Sequence, residues 1–143
     1  YTERDFESAT RSTFNDVNWE AGIDWQPLTY STFRFATSAD TRETNGEGNF
    51  ISGRDYTVSW DHEWLQRLST TASIGKYSDE YVLDDEGIAN REDDLMRYTA
   101  AVNYQARRYL SFSLYYTLND RDSNRDAIGY DRSVIGLSAE VSL

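Results

Sequence analysis

The fold is decided by residues 96–118, which read MRYTAAVNYQARRYLSFSLYYTL. From Met96 to Tyr104 every second residue is apolar or aromatic, and the residues between them are mostly polar. The same period of two returns from Leu110 to Leu118 after a short interruption. Because successive side chains of a strand point to opposite faces, this stretch predicts two antiparallel strands joined by a tight turn, each with one apolar and one polar face.

Five other stretches alternate in the same way, at 17–25, 33–37, 56–64, 68–74 and 135–143. The connections alternate between short ones (26–30, 65–67, 106–109) and long ones (38–53, 78–94, 119–131). Transmembrane barrels of bacteria have short periplasmic turns and long extracellular loops. The sequence therefore predicts an all-β, antiparallel up-and-down transmembrane β-barrel.

Seven strands are expected, or eight if residues 1–8 add one. Single-chain bacterial barrels have an even number of strands, so we expect the chain to be part of a larger barrel. We expect residues 1–15 to be the end of an extracellular loop. Residues 16–143 are expected to be strands with short periplasmic turns and long extracellular loops.

Composition excludes several other classes of protein. Only 38% of the 143 residues are hydrophobic and the net charge is −11, yet 15% are aromatic, too many for a disordered chain. The acidic balance disfavours nucleic acid as a partner. No cysteine is present, and no apolar run is long enough for a transmembrane helix. Tyrosine and tryptophan are typical of membrane interfaces, which favours strands that cross a bilayer.

The alternation assigns side chains to two faces of the predicted wall. Polar and charged side chains of one parity are expected to line the lumen: Glu20, Asp24, Arg34, Asp55, Asp61, Glu63, Arg97, Tyr115 and Glu140. Aromatic side chains of the other parity are expected at the two membrane interfaces: Trp19, Trp25, Tyr56, Trp60, Trp64, Tyr98, Tyr104 and Tyr116. Tyr77 is expected with them, toward the long loops.

Two acidic segments are candidate cation sites. Residues 78–94 are rich in carboxylates that could hold divalent cations, or that simply keep a loop solvated. Residues 120–131 have the spacing of a calcium loop without its glycine, and the same residues are also good turn formers. The candidate calcium ligands are Asp120, Asp122, Asn124, Asp126 and Asp131.

No catalytic arrangement is predicted. His62 is the only histidine and has the apolar parity, beside Trp64, so it is expected at a membrane interface rather than in a triad. Asp61 and Glu63 are two apart on one strand and are better explained as a polar wall than as a glycosidase pair. We expect neither enzymatic activity nor a cofactor.

Several short strings resemble a known family. They include WEAGIDWQP (19–27), RLSTT (67–71), VNYQ (102–105) and NDRDSN (119–124), with YTERDF (1–6), REDD (91–94) and YDR (130–132). Together they are similar to the C-terminal part of the outer-membrane β-barrel porins associated with bacterial exopolysaccharide operons. The resemblance implies a barrel in the outer membrane of a Gram-negative bacterium, linked to polysaccharide export or the cell surface. It implies no functional residue.

Three functions stay open at this point. The first is a porin-like barrel that supports export or surface assembly of exopolysaccharide. The second is a structural barrel with a filled lumen that anchors surface loops, and the third is a soluble carbohydrate-binding β-sandwich. For a barrel, the expected partners are outer-membrane lipid, polysaccharide and the barrel assembly machinery, which would recognise the final strand ending at Leu143.

Overall fold

The computed structural model describes residues 2–4, 14–16, 18–43, 50–82, 90–125 and 127–142. These residues form nine strands. They are β1 (Thr2–Arg4), β2 (Phe14–Asp16), β3 (Trp19–Leu28), β4 (Ser31–Glu43), β5 (Phe50–Leu65), β6 (Leu68–Val82), β7 (Arg91–Arg107), β8 (Leu110–Ser123) and β9 (Tyr130–Val141). No helix long and apolar enough to cross a bilayer occurs in the part of the chain that the structure describes.

Strands β3 to β9 form one sheet in which every strand pairs antiparallel with its neighbour in sequence. This up-and-down order confirms the predicted fold class and is the arrangement that short turns between successive strands produce. The sheet is open, because β3 and β9 each have a neighbour on one side only. A sandwich needs two packed sheets, so the soluble β-sandwich alternative is wrong.

The three tight turns share one construction. Each is two residues long, at 29–30, 66–67 and 108–109, and each follows a shift of register in the strand before it. The carbonyl of the second turn residue accepts a hydrogen bond from a residue in, or directly after, the next strand but one: Tyr30 from Glu63, Arg67 from Gln105 and Tyr109 from Ser142, at 2.8–3.0 Å. Each turn is thereby hydrogen-bonded to a part of the sheet other than the two strands that it joins.

The strands are longer than the alternation of apolar residues predicts. The expected long loops at 38–53, 78–94 and 119–131 are largely strand, since β4 continues to Glu43, β6 to Val82 and β8 to Ser123. The physical reason is that backbone pairing continues with polar residues, which a search for apolar residues misses. The remaining connections are 44–49, 83–90 and 124–129, of which 44–49, 83–89 and 126 lie outside the described residues.

Two short strands occur within residues 1–16. β1 pairs antiparallel with β2 as a separate two-stranded ribbon, with Glu3 opposite Asn15. The segment 1–8 therefore contributes a strand, as the alternative required, but this strand does not become the eighth of the main sheet.

The pairing places side chains on two distinct faces. In an antiparallel pair, directly opposite residues share a face. The apolar face is the one that carries Trp25, Phe33, Trp60, Val102, Leu114 and Leu137, and the polar face is the one that carries Asp24, Arg34, Asp61, Thr71, Tyr115 and Ser138.

Exposure of the two faces is the reverse of that in a water-soluble sheet. On the central strands, Val58, Val102 and Leu114 of the apolar face are exposed, Leu114 by 48%. Their polar-face neighbours Ser59, Asn103 and Ser113 are less exposed. Among the described residues Phe50 is the only buried hydrophobic one. The sheet therefore has no apolar core, and we infer that it bends toward its polar face.

Candidate functional site

All nine residues predicted to line the lumen lie on the polar face. Their shared face follows from the register, in which Glu20 is opposite Ser38, Ser38 opposite Asp55, and Ser111 opposite Glu140. Six strands contribute carboxylates to this surface: Glu20 and Asp24 on β3, Asp40 on β4, Asp55, Asp61 and Glu63 on β5, Asp79 on β6, Asp93 on β7, and Glu140 on β9. The sequence periodicity was sufficient to find this surface because the strands continue without interruption through these positions.

Asp61 is the centre of a small network on β4, β5 and β6. The Nη1 atom of Arg34 donates to Asp61 at 2.6 Å, and the Thr71 hydroxyl donates to the other carboxylate oxygen at 2.8 Å. Asp24 lies 3.9 Å from the same guanidinium. The three strands are held together here by side chains that are all accessible to water.

Beyond the segments in which every second residue is apolar, the strands continue into a part that we call the collar. It comprises residues 38–43, 50–55, 76–82, 91–95, 119–123 and 130–132, at the end of the strands opposite the tight turns. Tyr77, expected among the outward aromatic residues, lies here on the polar face, with the Arg97 guanidinium carbon 5.2 Å from its ring centroid. Its parity differs from that of Ile74, and the assignment to the outward aromatic residues was wrong.

The most buried charge of the collar is Asp93. Its side chain is only 3% exposed and accepts hydrogen bonds from Arg91 at 2.5 Å and from Arg121 at 2.6 Å. Burial alone would raise the pKa of Asp93, but hydrogen bonds from Arg91, Ser123 and Arg121 outweigh it and hold the pKa at about 2. The carboxylate is therefore ionised and ties β7 to β8.

A second ionic group connects β4 with β6. Arg42 reaches across β5 to Asp79 at 2.5 Å and also lies 3.4 Å from Asp40. The crossing is open because Gly53 stands between them: a Cβ atom there would come within 2.6 Å of Asp40 and 2.8 Å of Arg42. Burial raises the pKa of Asp79, and the nearby Arg42 charge opposes that rise.

Neither collar group was predicted from the sequence. The signal that could have found them is the alternation of charged residues within 78–94 and 119–131, which continues the parity of the neighbouring strands. Over the whole polar face of β3 to β9, nine carboxylates stand against six arginines, which leaves three net negative charges. The imbalance lies toward the tight turns, around Asp61, Glu63 and Glu140.

The eight predicted interface aromatics all lie on the apolar face. Several of them form a continuous group near the tight turns, with ring centroids 5.4 Å apart for Trp25 and Phe33, and 6.3 Å for Trp60 and Trp64. His62 lies within this group, 4.3 Å from Trp64, as its parity predicts. The indole N–H groups of Trp60 and Trp64 donate to the hydroxyls of Ser31 and Thr70 at 2.9 Å. Such amphipathic rings are suited to a membrane interface.

The candidate calcium loop is not formed by the described residues. Asp120 and Asp122 lie within β8, and Asp131 is directly opposite Asp120 on β9. Asn124 is occupied otherwise: its Oδ1 accepts from the Glu92 backbone and its Nδ2 donates to the Asn90 carbonyl. No group of three metal-binding side chains occurs among the residues described, and Asp126 lies outside them. The ligand spacing fails because a strand spreads alternate residues about 7 Å apart along one face, rather than folding them around an ion.

The carboxylate-rich segment 78–94 is likewise mostly strand. Asp79 and Glu80 end β6, and Glu92, Asp93 and Asp94 begin β7. The remaining acidic positions, at 84–86, lie outside the described residues. The described part of this segment therefore contributes strand residues to both faces of the collar. It does not form a single solvated loop.

Comparison with known proteins agrees with this architecture. No curated protein and no solved structure matches the chain. The sequence model of one family matches residues 1–143, and that family is described as "Putative beta-barrel porin 2". The match covers both the separate ribbon and the seven-stranded sheet. Together with a single up-and-down sheet whose apolar face is the exposed one, it shows that the chain belongs to this porin-like β-barrel family.

Proposed function

We propose that the polar face lines the water-filled lumen of an outer-membrane barrel that supports export or surface assembly of exopolysaccharide. One observation carries the proposal: the apolar face is exposed and the polar face is the more enclosed one. A sheet in water cannot leave so many large apolar side chains uncovered. A sheet in a bilayer gains by it, because lipid covers the outer face and water fills the inside.

The length of the apolar stretch supports a membrane crossing. On β5, β7 and β8 it runs from 56 to 64, from 96 to 104 and from 110 to 118. A transmembrane strand needs about 9–11 residues, which agrees with these stretches. Tyr56 and Tyr98 lie toward one border, and Trp64 and Tyr104 at the other. In this arrangement the tight turns face the periplasm and the collar stands outside the cell.

The polar face suits the passage of a hydrated solute. Its serine, threonine, asparagine and tyrosine side chains can exchange hydrogen bonds with hydroxyl groups, and its net negative charge repels anions. Passage of this kind needs neither a catalytic residue nor a cofactor. Wall carboxylates focus their field in a low-dielectric channel, so we expect the open pore to favour cations.

Planar-bilayer recordings of the full-length protein test the proposal. We expect stable conductance and a reversal potential that shows cation preference across a salt gradient. Replacing Asp61→Asn together with Glu63→Gln should lower that preference. The matched control is Asp122→Asn, a carboxylate on the opposite face, which should leave it unchanged.

Two results would overturn the assignment. Anion preference in the parent, or an unchanged reversal potential in the double variant, would contradict the lumen assignment of the polar face. Absence of conductance would favour the structural barrel with a filled lumen. The polysaccharide role is tested separately, by loss of cell-surface polysaccharide in a strain lacking the protein and its return with the parent gene.

A further inference from the structure

We propose that Tyr115 forms a stacking site for one ring of a neutral sugar on the wall of the lumen. The inference rests on the proposed function, since it requires the polar face to line a passage. It names the class of solute that the wall recognises and the residue that recognises it.

The first observation is the position of the Tyr115 ring. Tyr115 is directly opposite Gly136 on β9, and a Cβ atom added at Gly136 would overlap the ring atoms Cε1 and Cζ and the hydroxyl oxygen. The phenol therefore lies across the wall, over the one neighbour without a side chain, instead of pointing along the lumen. Tyr115 is still 41% exposed. Part of the ring therefore lies against the Gly136 backbone, and part of it is accessible from the polar face.

The second observation is that the surroundings of Tyr115 are uncharged. The positions beside it on the polar face carry no acidic or basic side chain, and most of them are small or polar, with Val134 as the apolar exception. On the neighbouring strands they include Ala101, Asn103 and Ser138, and on β8 itself Ser113 and Thr117. Asn103 and Ser113 are joined by a hydrogen bond of 2.6 Å and keep other donor and acceptor capacity. The flat ring thus has the hydrogen-bonding side chains of Asn103, Ser113, Thr117 and Ser138 near it.

The third observation is a difference between Tyr115 and two other tyrosines of this face. An arginine guanidinium lies 4.3 Å above the ring centroid of Tyr81, and another 5.2 Å above that of Tyr77. Within the described part of the chain, no cation is stacked on Tyr115. The accessible part of its ring is therefore available to a solute, whereas Tyr77 and Tyr81 are stacked with arginines of the protein itself.

These features select a ligand by its chemistry. A pyranose ring has a face of C–H groups, which can stack on an aromatic ring, and a rim of hydroxyls, which can bond to serine, threonine and asparagine. An ionic solute gains nothing from an uncharged site, and a purely apolar one leaves the surrounding hydroxyls without partners. A neutral oligosaccharide satisfies both parts of the site.

The test is binding of maltohexaose to the full-length protein in detergent, measured by titration calorimetry, with sugar-induced block of current in bilayers as a second readout. Tyr115→Ala should weaken binding about tenfold, which is the loss of one well-stacked ring. Tyr115→Phe should bind nearly as well as the parent. Tyr116→Ala is the matched control, because that neighbouring tyrosine lies on the apolar face.

Gly136→Ala sharpens the test without touching the tyrosine. The added methyl group must push the phenol off the wall, so sugar affinity should fall while the protein still folds. Polyethylene glycol of similar mass should reduce current by its volume alone, equally in all variants.

A purely structural role for the Tyr115–Gly136 contact predicts a different pattern. In that case Tyr115→Ala and Gly136→Ala would lower thermal stability but leave maltohexaose affinity unchanged, and this result would overturn the proposal. Failure of the proposed function would be seen separately, as absence of conductance without sugar.

Discussion

The part of the sheet at membrane level, which includes residues 56–64, 96–104 and 110–118, and the collar are formed by the same strands. Different interactions hold the two parts together. At membrane level the apolar face carries exposed valine, leucine and tryptophan, and the ion pairs among the described residues are confined to Arg34 with Asp24 and Asp61. In the collar five ion pairs connect Arg42, Lys76, Arg91 and Arg121 to aspartates. The backbone ladder runs unchanged through both.

The difference shows what each environment supplies. In a bilayer, unpaired backbone groups are so costly that the ladder itself is strongly favoured, and lipid covers the apolar side chains. In water, exposed backbone hydrogen bonds compete with solvent, and strands gain stability from cross-strand side-chain pairs. The collar therefore needs its aspartate–arginine groups, and the membrane level does not.

The largest effect is expected from a charge on the apolar face at membrane level. Leu114→Arg should cost about 2–4 kcal/mol of folding free energy in a bilayer, because arginine there is removed from water. Ser113→Arg, one residue earlier on the polar face, should fold normally. Folding into lipid vesicles, followed by heat-modifiable migration on gels, measures both. Equal folding of the two variants would show that the faces are assigned wrongly.

A smaller and local effect is expected from removing the centre of the collar network. Asp93→Asn leaves Arg91 and Arg121 without their shared carboxylate, and we expect a loss of about 2–3 kcal/mol from the collar, since two partly buried charges lose their partner. Hydrogen exchange of β7 and β8 should rise in the collar and stay unchanged at membrane level.

The control for this variant is the next residue along the strand. Asp94 is 52% exposed and points to the opposite face, so Asp94→Asn should change stability by about 0.5 kcal/mol or less. If both variants have the same effect, the buried position of Asp93 is not what stabilises the collar.

The smallest effect is a dependence on pH. Asp93 has an ordinary pKa of 3.8 and a folded pKa of about 2, so the folded state favours its ionised form. The resulting stability, about 2 kcal/mol, is complete above about pH 5 and is lost as the pH falls from about 4 through 2. Asp79 acts in the opposite direction, because burial raises its pKa.

Protease cleavage of the collar between pH 5 and 2, with an acid-active protease, measures this loss. The Asp93→Asn variant should show a weaker dependence on pH than the parent. An equally steep dependence in the variant would mean that another carboxylate is responsible.

Much of the architecture could be predicted from the sequence because the alternation with period two identifies the strands and also assigns each side chain to one face. Once Trp60 and Asp61 are assigned to opposite faces, matching apolar residues with apolar ones excludes every register of β4, β5 and β6 that is shifted by one residue, and the tight turns restrict the rest. Every predicted wall residue, and every predicted interface aromatic residue except Tyr77, lies on the expected face for this reason.

The collar could not be predicted in the same way. Asp93 and Arg121 are 28 positions apart and are polar like their neighbours, so no contrast in hydropathy marks them as strand residues. The same lack of contrast made the spacing from Asp120 to Asp131 look like a cation loop. The Tyr115–Gly136 contact could not be predicted for a different reason. A single glycine shows no periodicity, and its partner is known only once the pairing of β8 with β9 is known.

The two edges of the sheet set a condition on the complete barrel. Direction alternates from strand to strand, so β3 and β9, the first and last of seven, run the same way. Joining them directly would create a parallel pair in an otherwise antiparallel wall. An antiparallel cylinder can close only if an odd number of further strands stands between them, whichever polypeptide supplies those strands. The total is then even, and every backbone group at both edges finds a partner inside the membrane.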